Sequence, residues 1–228
     1  MSQPNLRAFS VETLEPLILM SASAIDSEID GTVSVIAIDL NDDGEIGITG
    51  QTTGKDKSGI TEIGPTVQFD VDADSKADSL EWFDGSGDGI LVDIAKIQGN
   101  KIDGDALFGN EGGEFQSGFD KLADFDKDGN HRLDGDEISR LRLWVDDGNG
   151  QLDSGELHKL SDHNIFSLSV RATENSGLSQ SWAFTEDDSQ LIIEDVWFVV
   201  TDASVSEDEQ SDEPPVAMNH PLRWTMLP

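Results

Sequence analysis

Residues 126–137, with the sequence DKDGNHRLDGDE, constrain the fold of this chain more tightly than any other stretch. Oxygen-bearing side chains stand at positions 1, 3, 5, 9 and 12 of this loop, and an apolar Leu133 stands at position 8. A calcium ion takes about six to eight oxygen ligands, so alternate side chains of a curled loop converge on it with one carbonyl from position 7. The predicted ligands are Asp126, Asp128, Asn130, the carbonyl of Arg132, Asp134 and a bidentate Glu137. The spacing predicts a calcium loop between two helices.

The residue at position 6 of this loop departs from the usual pattern. His131 stands where glycine normally supplies the positive φ of the sharp turn. His adopts that conformation more readily than most residues, so we expect a left-handed His131 and a weakened calcium site. The alternative is a solvated acidic turn that binds no metal.

Residues 39–50 carry the front half of the same pattern. Asp39, Asn41 and Asp43 occupy positions 1, 3 and 5, and Glu45 offers its carbonyl at position 7. Position 12 is Gly50, so the closing glutamate is missing, and a predicted strand precedes the loop in place of a helix. The spacing predicts a metal site whose remaining ligands come from another segment.

Residues 70–81 form a third, less regular loop. Its side-chain candidates are Asp70, Asp72, Asp74 and Glu81, with Asp78 at position 9. Ser75 replaces the glycine at position 6. The front half of another such ligand pattern follows directly at residues 84–89. It lies too close to the loop at 70–81 for both loops to have flanking helices. We therefore expect a turn between short strands at that place.

Residues 145–156 form a fourth loop that ends in Glu156. Asp147 and Asn149 fall at positions 3 and 5, and Gln151 offers its carbonyl at position 7. Position 1 is then Val145, and Asp146 comes one residue late, so this loop is one residue short. Asp146 could still act as a ligand after an adjustment of the backbone. Because calcium loops usually work in pairs, residues 111–160 are predicted to form an EF-hand-like pair.

Apolar spacing predicts the secondary structure around these loops. Residues recurring every three or four positions predict one helix before and one after residues 126–137: Phe115, Phe119, Leu122 and Phe125, then Ile138, Leu141 and Trp144. Alternating or β-rich segments predict strands at residues 33–38, 166–170, 181–184 and 191–200. The predicted fold class is α+β, with short strands, a helix–loop–helix pair and several acidic loops.

The charge of the chain limits its partners. The 47 acidic and 14 basic side chains give a net charge of −33, which opposes binding to nucleic acid or to anionic membranes. There is no cysteine, so no disulfide stabilises the fold. The longest apolar run, residues 196–200, is far too short to span a bilayer. Calcium ions are the predicted partners, with no nucleic acid and no membrane span.

Composition divides the chain into three parts. Residues 1–30 are predicted to be a disordered or export segment, residues 31–200 the calcium-binding module, and residues 201–228 an acidic disordered tail. Within the module, residues 31–110 form a strand and loop part, 111–160 the loop pair and 161–200 the last strands. The apolar stretch at 17–20 is too short for a Sec signal, and acidic residues precede it.

Two resemblances to known sequences concern export. The segment TLEPLILMS at residues 13–21 resembles the short LEPR-type motif at the start of large secreted bacterial proteins, with Leu17 in place of its arginine. The stretches VIAIDLNDDGEIGITG, VQFDVDADSKADSLEWFDGSGDGILV, KIDGDALFGN, FDKLADFDKDGNHRLDGDE, LRLWVDDGNGQLDSGELHKLSDHNIFSLSV and EDVWF resemble the calcium-binding module associated with RTX (haemolysin-type) repeats. This resemblance implies ligand roles for Asp126, Asp128, Asn130 and Glu137, and for Asp39, Asn41 and Asp43. The RTX nonapeptide itself is absent, so no toxin, protease or lipase activity is implied.

The sequence favours a secreted, extracellular calcium-binding protein whose ions stabilise its fold, exported by a route other than Sec. The alternative is a dockerin-like or adhesive module that binds another extracellular protein through its calcium loops. The four histidines form no H-E-x-x-H pair, and there is no G-x-S-x-G motif, so we expect no enzyme.

Overall fold

The computed structural model describes residues 29–50, 62–175 and 178–201. The described strands are β1 (Ile29–Ile38), β2 (Thr66–Phe69), β3 (Asp78–Glu81), β4 (Gly89–Asp93), β5 (Arg132–Asp134), β6 (Leu141–Trp144), β7 (Leu157–Lys159), β8 (Ile165–Ser169), β9 (Thr173–Asn175), β10 (Leu178–Thr185) and β11 (Gln190–Thr201). They pair throughout as antiparallel neighbours and form one curled, half-barrel sheet. The predicted N-terminal segment and acidic tail lie almost wholly outside the described residues.

The order of strands across the sheet is β5-β8-β10-β11-β1-β4-β6-β7. Strand β3 also pairs with β11 and carries β2 beside it, while β9 pairs with β10. The longest ladder joins β1 to β11, from the Ile29–Thr201 pair to the Ile38–Ile193 pair. The first and last described strands therefore lie side by side at the centre of the sheet.

Strand β1 is central because it is apolar on both faces. Val33, Val35 and Ala37 belong to one buried cluster, and Ile36 and Ile38 belong to another. Successive side chains of a strand point to opposite faces, so these two clusters lie on the two sides of the sheet. A continuous apolar run such as VIAI is typical of a strand covered on both faces.

Each face of the sheet has its own core. The first is rich in aromatic rings, and its members include Phe69, Trp82, Phe83, Trp144 and Phe198. The second is mainly aliphatic, and its members include Leu91, Leu122, Leu133, Leu143 and Leu168. The acidic loops connect the strands that carry these cores, so their positions are set by the packing of the sheet.

The four strands predicted from alternation are confirmed, within one to three residues at most ends, by β1, β8, β10 and β11. Residues 84–88 form the predicted turn, between β3 and β4. A strand with one buried face shows a two-residue period of apolar side chains, and a strand buried on both faces shows a continuous apolar, β-branched run. These patterns therefore identified the four strands from the sequence.

The predicted helix before residues 126–137 is much shorter than its apolar spacing indicates. Helix α1 (Gly118–Ala123) has six residues, and the hydroxyl of Ser117 caps it by accepting the N–H of Asp120 at 3.3 Å. Phe119 and Leu122 face the second core. A side chain at Gly118 would collide with the carbonyl oxygen of Phe108, 2.5 Å from the Cβ position, so the helix starts against the sheet.

The predicted helix after residues 126–137 is wrong. Residues 135–140 form turns, and residues 141–144 form β6, which pairs with β4 from Ile90–Trp144 to Asp93–Leu141. Leu141 and Leu143 face the second core while Trp144 faces the first, so the apolar residues follow a two-residue period. Pairing with a buried neighbour outweighed the helical spacing that Ile138, Leu141 and Trp144 also satisfy.

The predicted α+β class with a helix–loop–helix pair is therefore also wrong. The described residues are mostly β, and α1 is the one short α-helix among them. No helix in this part of the chain has the length and apolar character needed to cross a membrane.

Candidate metal centres in four acidic loops

The four predicted loops share one backbone conformation. Positions 4 and 6 both have positive φ when the fourth loop is counted from Val145. At position 4 the residues are Asp42 (φ 56), Ala73 (φ 58), Gly129 (φ 74) and Gly148 (φ 96). At position 6 they are Gly44 (φ 92), Ser75 (φ 73), His131 (φ 66) and Gly150 (φ 69). The left-handed conformation expected of His131 is present. Four of the eight residues are not glycine, and they adopt this conformation although their Cβ atoms disfavour it.

Two sets of hydrogen bonds hold this conformation. The first acidic side chain of each loop accepts the N–H of position 6: Gly44 to Asp39 (2.9 Å), Ser75 to Asp70 (3.3 Å), His131 to Asp126 (2.8 Å) and Gly150 to Asp146 (3.1 Å). The side chain at position 5 accepts the N–H of position 7: Glu45 to Asp43 (3.1 Å), Lys76 to Asp74 (2.7 Å), Arg132 to Asn130 (2.7 Å) and Gln151 to Asn149 (2.6 Å). The chain thus curls around its own side-chain oxygens.

In the loop at residues 126–137, the two ends of the predicted ligand set meet. Carboxylate oxygens of Asp126, Asp128 and Glu137 lie within 4.8 Å of one another. Glu137 closes the loop by accepting the N–H of Lys127 at 2.7 Å and that of Asp134 at 3.3 Å. Asp134 is exposed and adds its N–H, while its carboxylate lies outside the group of three.

Two further details of this loop bear on its charge. Slight burial opposes ionisation of Asp126, but hydrogen bonds from the N–H groups of His131 and Gly129 hold the pKa of Asp126 below its ordinary value. The side chain of Arg132 turns away and stacks on Phe184, with its guanidinium carbon 4.0 Å from the ring centre. Arg132 can therefore serve this loop only through its backbone.

In the loop at residues 145–156, Asp146 takes the place of the first ligand. Oxygens of Asp146, Asp147 and Glu156 lie within 4.8 Å of one another. Glu156 accepts the N–H of Asp147 at 3.3 Å and that of Asp153 at 2.8 Å, as Glu137 does in the other loop. The one-residue offset noted in the sequence is absorbed by the backbone, with Asp146 leading a shorter loop.

Asp146 is the most buried of the loop carboxylates that converge, with 3% of its surface exposed. Its Oδ2 accepts the indole N–H of Trp82 at 2.7 Å and the N–H groups of Gly148 and Gly150, each at 3.1 Å. Its Oδ1 is buried and has no hydrogen-bond partner. Burial raises the pKa of Asp146, and the Glu156 carboxylate raises it further, while the hydrogen bonds from Gly150 and Trp82 oppose the rise.

In the loop at residues 70–81, lysines accompany the acids. Oxygens of Asp70, Asp72 and Asp74 lie within 4.8 Å of one another. The ammonium of Lys101 lies 2.9 Å from Asp70, and that of Lys76 lies 2.5 Å from Asp74. The ammonium groups of these two lysines therefore already offset part of the negative charge of this cluster.

Glu81, the predicted closing residue of the third loop, is not part of the group formed by Asp70, Asp72 and Asp74. It is buried in β3, and its Oε1 accepts the N–H of Gly64 at 2.7 Å. Asp78 instead accepts the N–H of Val71 at 3.2 Å, which is the position-2 bond that Glu137 receives from Lys127. The acid at position 9 has taken over the closing role in this loop.

In the loop at residues 39–50, the front half is assembled and the rear half is open. Asp39, with 1% of its surface exposed, accepts the N–H groups of Asp43 and Gly44 at 3.3 and 2.9 Å. Asn41 accepts the N–H of Asp43 at 2.9 Å, and Glu45 is exposed. Asp39 and Asp43 need an oxygen from another segment to complete a ligand set.

The loops at 126–137 and 145–156 are not paired as in an EF-hand. Residues 132–134 of the first loop form β5, which pairs with β8 through Leu133 and Leu168. Glu156, at the end of the second loop, leads into β7, at the opposite end of the strand order. Instead, the second loop faces the loop at 70–81 across a cavity of about 590 Å³ lined by Asp70, Lys101 and Gly150, among others.

The sequence did not identify the two tryptophans that hold the loop at 145–156. Trp82 donates to Asp146 across 64 positions, and the indole N–H of Trp144 donates to Glu156 at 3.0 Å. No local spacing connects Trp82 with Asp146, so only the packing of the first core brings them together. The closing role of Asp78, in contrast, could have been identified from the sequence, because Asp78 stands at ligand position 9 of its loop.

Comparison with known proteins identifies a family. No curated protein and no solved structure shows significant similarity to this chain. A family model described as the SPM domain matches residues 36–199, which include all four loops and the sheet from the last three residues of β1 to Val199 in β11. Because the match spans well over half of the chain, the protein belongs to the SPM domain family.

Proposed function

We propose that this protein binds calcium ions in its acidic loops and that these ions stabilise its fold outside the cell. The observation that carries the proposal is the convergence of three carboxylates in each of two loops, at 126–137 and at 145–156. In both loops a glutamate closes the ring by accepting two backbone N–H groups, one from the residue after the first acid and one from the residue three positions before the glutamate. The role is one of binding and structure, without a catalytic step.

The balance of charge in these two loops supports a bound cation. Within the described residues, the one ion-pair contact to the acids of the first loop comes from the His131 ring, 3.9 Å from Asp126, and no ion pair involves Asp146, Asp147 or Glu156. Three mutually repelling carboxylates held together without a counter-charge destabilise a fold. The unpartnered Oδ1 of Asp146 adds a desolvation penalty that a metal–oxygen bond would remove.

The donor set favours calcium over other divalent ions. All candidate ligands are carboxylate, amide or backbone oxygens, which are the ligands of hard cations, and the chain has no cysteine. A bidentate glutamate on a curled loop suits the larger coordination number of Ca²⁺. Mg²⁺ demands a stricter octahedral geometry and releases its water reluctantly.

The same chemistry supports the extracellular location that we propose. Extracellular calcium modules bind with dissociation constants of about 10⁻⁴ to 10⁻³ M, so their sites fill outside the cell and empty inside it. The resemblance to RTX-associated modules and to the LEPR-type segment supports export by a route other than Sec. In a chain without disulfides, bound ions would supply the cross-links.

The test is calcium titration of the full chain after removal of divalent cations, with thermal unfolding as the readout. At a concentration ten times the dissociation constant, each occupied site should add about 1.4 kcal/mol to the free energy of unfolding. Asp126→Ala should remove one bound ion, and Asp136→Ala, an exposed acid of the same loop outside the cluster, should remove none. Millimolar calcium that changes neither the melting temperature nor the stoichiometry would refute the proposal.

A second candidate function is an interaction module for another extracellular protein. Phe166 on β8 and Trp182 on the neighbouring β10 are large hydrophobic residues with 43% and 44% of their surface exposed. Aromatic residues of this kind are enriched in protein interfaces. Serine at both positions should leave calcium binding unchanged and abolish binding to such a partner.

A further inference from the structure

The turn at residues 84–88, between β3 and β4, covers the open side of the loop at 39–50. The N–H of Asp84 donates to the carbonyl of Gly47 at 3.1 Å, and Ile48 forms a β-bridge with Phe83. The approach is close, since a Cβ at Gly47 would lie 2.2 Å from the Ser86 hydroxyl oxygen. The loop without its own closing glutamate is therefore closed by another segment of the chain.

The side chain of Asp88, at the end of this turn, makes the hydrogen bond that a closing glutamate makes in the other loops. Its Oδ2 accepts the N–H of Gly47, which is position 9 of the loop at 39–50, at 2.8 Å. In the two loops described above, the N–H three residues before the closing glutamate donates in the same way, from Asp134 to Glu137 and from Asp153 to Glu156. Asp88 thus occupies the closing position although it lies 41 residues away from Gly47.

The second oxygen of Asp88 has no partner on the protein. Asp88 has 7% of its surface exposed, and its Oδ1 is buried without a hydrogen bond. A buried carboxylate oxygen in this state is costly and calls for a bound ion or water. Within the described residues, no lysine, arginine or histidine forms an ion pair with Asp39, Asp43 or Asp88.

The acids of the loop and of the turn are close enough to repel one another. Burial raises the pKa of Asp88, hydrogen bonds from Gly47 and Ser86 oppose the rise, and the carboxylates of Asp39 and Asp43 add to it. The amide of Asn41 also reaches the turn, where its Nδ2 lies 3.5 Å from the carbonyl of Ser86. Asp88 therefore lies near the carboxylates of Asp39 and Asp43, and Asn41 contacts the same turn, at the junction of two distant segments.

We propose that Asp88 supplies the missing closing carboxylate of the loop at 39–50, so that Asp39, Asn41, Asp43 and Asp88 form a composite calcium site. The inference rests on the proposed function, in which acidic loops of this kind bind calcium. The site lies at the end of the short β1–β4 ladder, which has only the Ala37–Ile90 and Ile38–Gly89 pairs. An ion there would link the end of β1 to the β3–β4 turn and reinforce a ladder of only two residue pairs.

The first test compares calcium stoichiometry by titration calorimetry, with CaCl₂ as the only ligand, for the full chain and three variants. Asp88→Asn keeps the shape of the side chain and should lose one ion per chain. Asp42→Asn is the matched control, because Asp42 is an exposed acid of the same loop at φ 56, which asparagine tolerates, and it should lose none. Asp126→Ala reports on a different loop and should also lose one ion.

These outcomes separate the two proposals. If Asp126→Ala loses an ion and Asp88→Asn keeps the wild-type stoichiometry and affinity, the composite site is refuted and the general function stands. If the unmodified chain binds no calcium, the general function fails and the composite site fails with it. Loss of one ion in Asp88→Asn but not in Asp42→Asn supports the composite site.

Thermal unfolding distinguishes a ligand from a structural hydrogen-bond acceptor. An amide at position 88 removes the repulsion from Asp39 and Asp43, so Asp88→Asn should melt at the same or a higher temperature than the wild type without calcium. In saturating calcium it should melt at a lower temperature than the wild type. A lower melting temperature by the same amount in both conditions would show that Asp88 acts only through Gly47, and would overturn the inference.

Discussion

The indole N–H of Trp82 donates a 2.7 Å hydrogen bond to Oδ2 of Asp146, the buried first acid of the loop at 145–156. Trp144 donates to Glu156 at the other end of the same loop, and the two ring centres lie 5.8 Å apart. Two tryptophans of the first core thus hold both ends of one candidate metal centre. A change of charge in this loop acts directly on two fluorophores.

We therefore expect calcium to change the tryptophan emission of this protein, and terbium, a luminescent ion of similar chemistry, to be sensitised by Trp82 and Trp144. The change should be largely lost in Asp146→Asn and retained in Trp182→Phe, which removes an exposed tryptophan of β10. Fluorescence titration measures both effects. An emission response that survives in Asp146→Asn would place the responding ion at another loop.

Trp82→Phe should destabilise the protein even without calcium. The substitution removes a donor to a buried carboxylate, and hydrogen bonds to charged groups contribute about 1.5–3 kcal/mol. Loss of packing against Phe69 and Phe198, with ring centres at 4.8 and 5.8 Å, adds to this effect. Urea unfolding measures the change, and Trp182→Phe, at an exposed site, should alter the free energy of unfolding much less. Equal effects of the two substitutions would contradict the importance of the Asp146 bond.

His131→Gly should strengthen the loop at 126–137. His131 has a φ of 66, a conformation that disfavours residues with a Cβ by about 1–2 kcal/mol, whereas glycine adopts it freely. Part of this gain is offset by the greater freedom of glycine in the unfolded chain, so we expect about 0.5–1 kcal/mol of added stability. Calcium affinity at this loop should rise, as measured by titration calorimetry.

The control for that substitution is Lys127→Gly at position 2 of the same loop. Lys127 does not have a positive φ, so glycine there relieves no strain and only increases the freedom of the unfolded chain. It should lower stability by about 0.5–1 kcal/mol. A stabilising Lys127→Gly would contradict the explanation by backbone conformation.

Lys101→Met should convert the loop at 70–81 into a calcium-dependent one. The Lys101 ammonium, 2.9 Å from Asp70 and 3.7 Å from Asp103, supplies a positive charge beside three convergent acids. Without it, the melting temperature in the absence of calcium should fall, and calcium should bind this loop more tightly than in the wild type. Lys96→Met removes a surface lysine whose partner Asp105 lies outside the loop, and it should have neither effect.

Glu194→Gln should stabilise the protein at neutral pH. Burial raises the pKa of Glu194 in β11, which has 5% of its surface exposed, and a hydrogen bond from Gln180 only partly opposes the rise. The folded state then binds a proton more tightly than the unfolded state, so stability falls as pH rises from the unfolded pKa, about 4.5, to the raised folded value.

The amide of Glu194→Gln removes this pH-dependent loss, so the difference from the wild type should vanish below about pH 4 and be greatest at neutral pH. Urea unfolding of the calcium-free protein between these limits measures it. Glu186→Gln, at an exposed position, should show no such dependence. A stability difference that is constant across the pH range would exclude titration of Glu194 as its cause.

The local geometry of the loops could be predicted from their spacing because it is held by bonds between near neighbours. The bond from position 6 to the first acid spans four or five residues, and the bond from position 7 to position 5 spans two. Even His131 and Ser75 adopt the positive φ that the pattern requires. The convergence of Asp126, Asp128 and Glu137 also depends on bonds within the loop, since Glu137 accepts the N–H groups of Lys127 and Asp134, ten and three residues away.

The secondary structure around the loops could be predicted only in part. Strands β1, β8, β10 and β11 have a clear two-residue period or a buried apolar run. Residues 138–144 satisfy a helical spacing and a strand spacing at once, and the ladder with β4 selected the strand. A short apolar segment has no preference strong enough to resist a buried partner.

The sequence by itself determined which residues form acidic loops, where four of the strands lie, and that the chain carries a large negative charge. Only the tertiary structure decided that Glu81 leaves its loop, that Asp88 closes another, and that Trp82 holds Asp146. Those contacts join residues 17, 41 and 64 positions apart. Such contacts depend on which strands of a sheet become neighbours, and burial of the two apolar cores selects that arrangement for the chain as a whole.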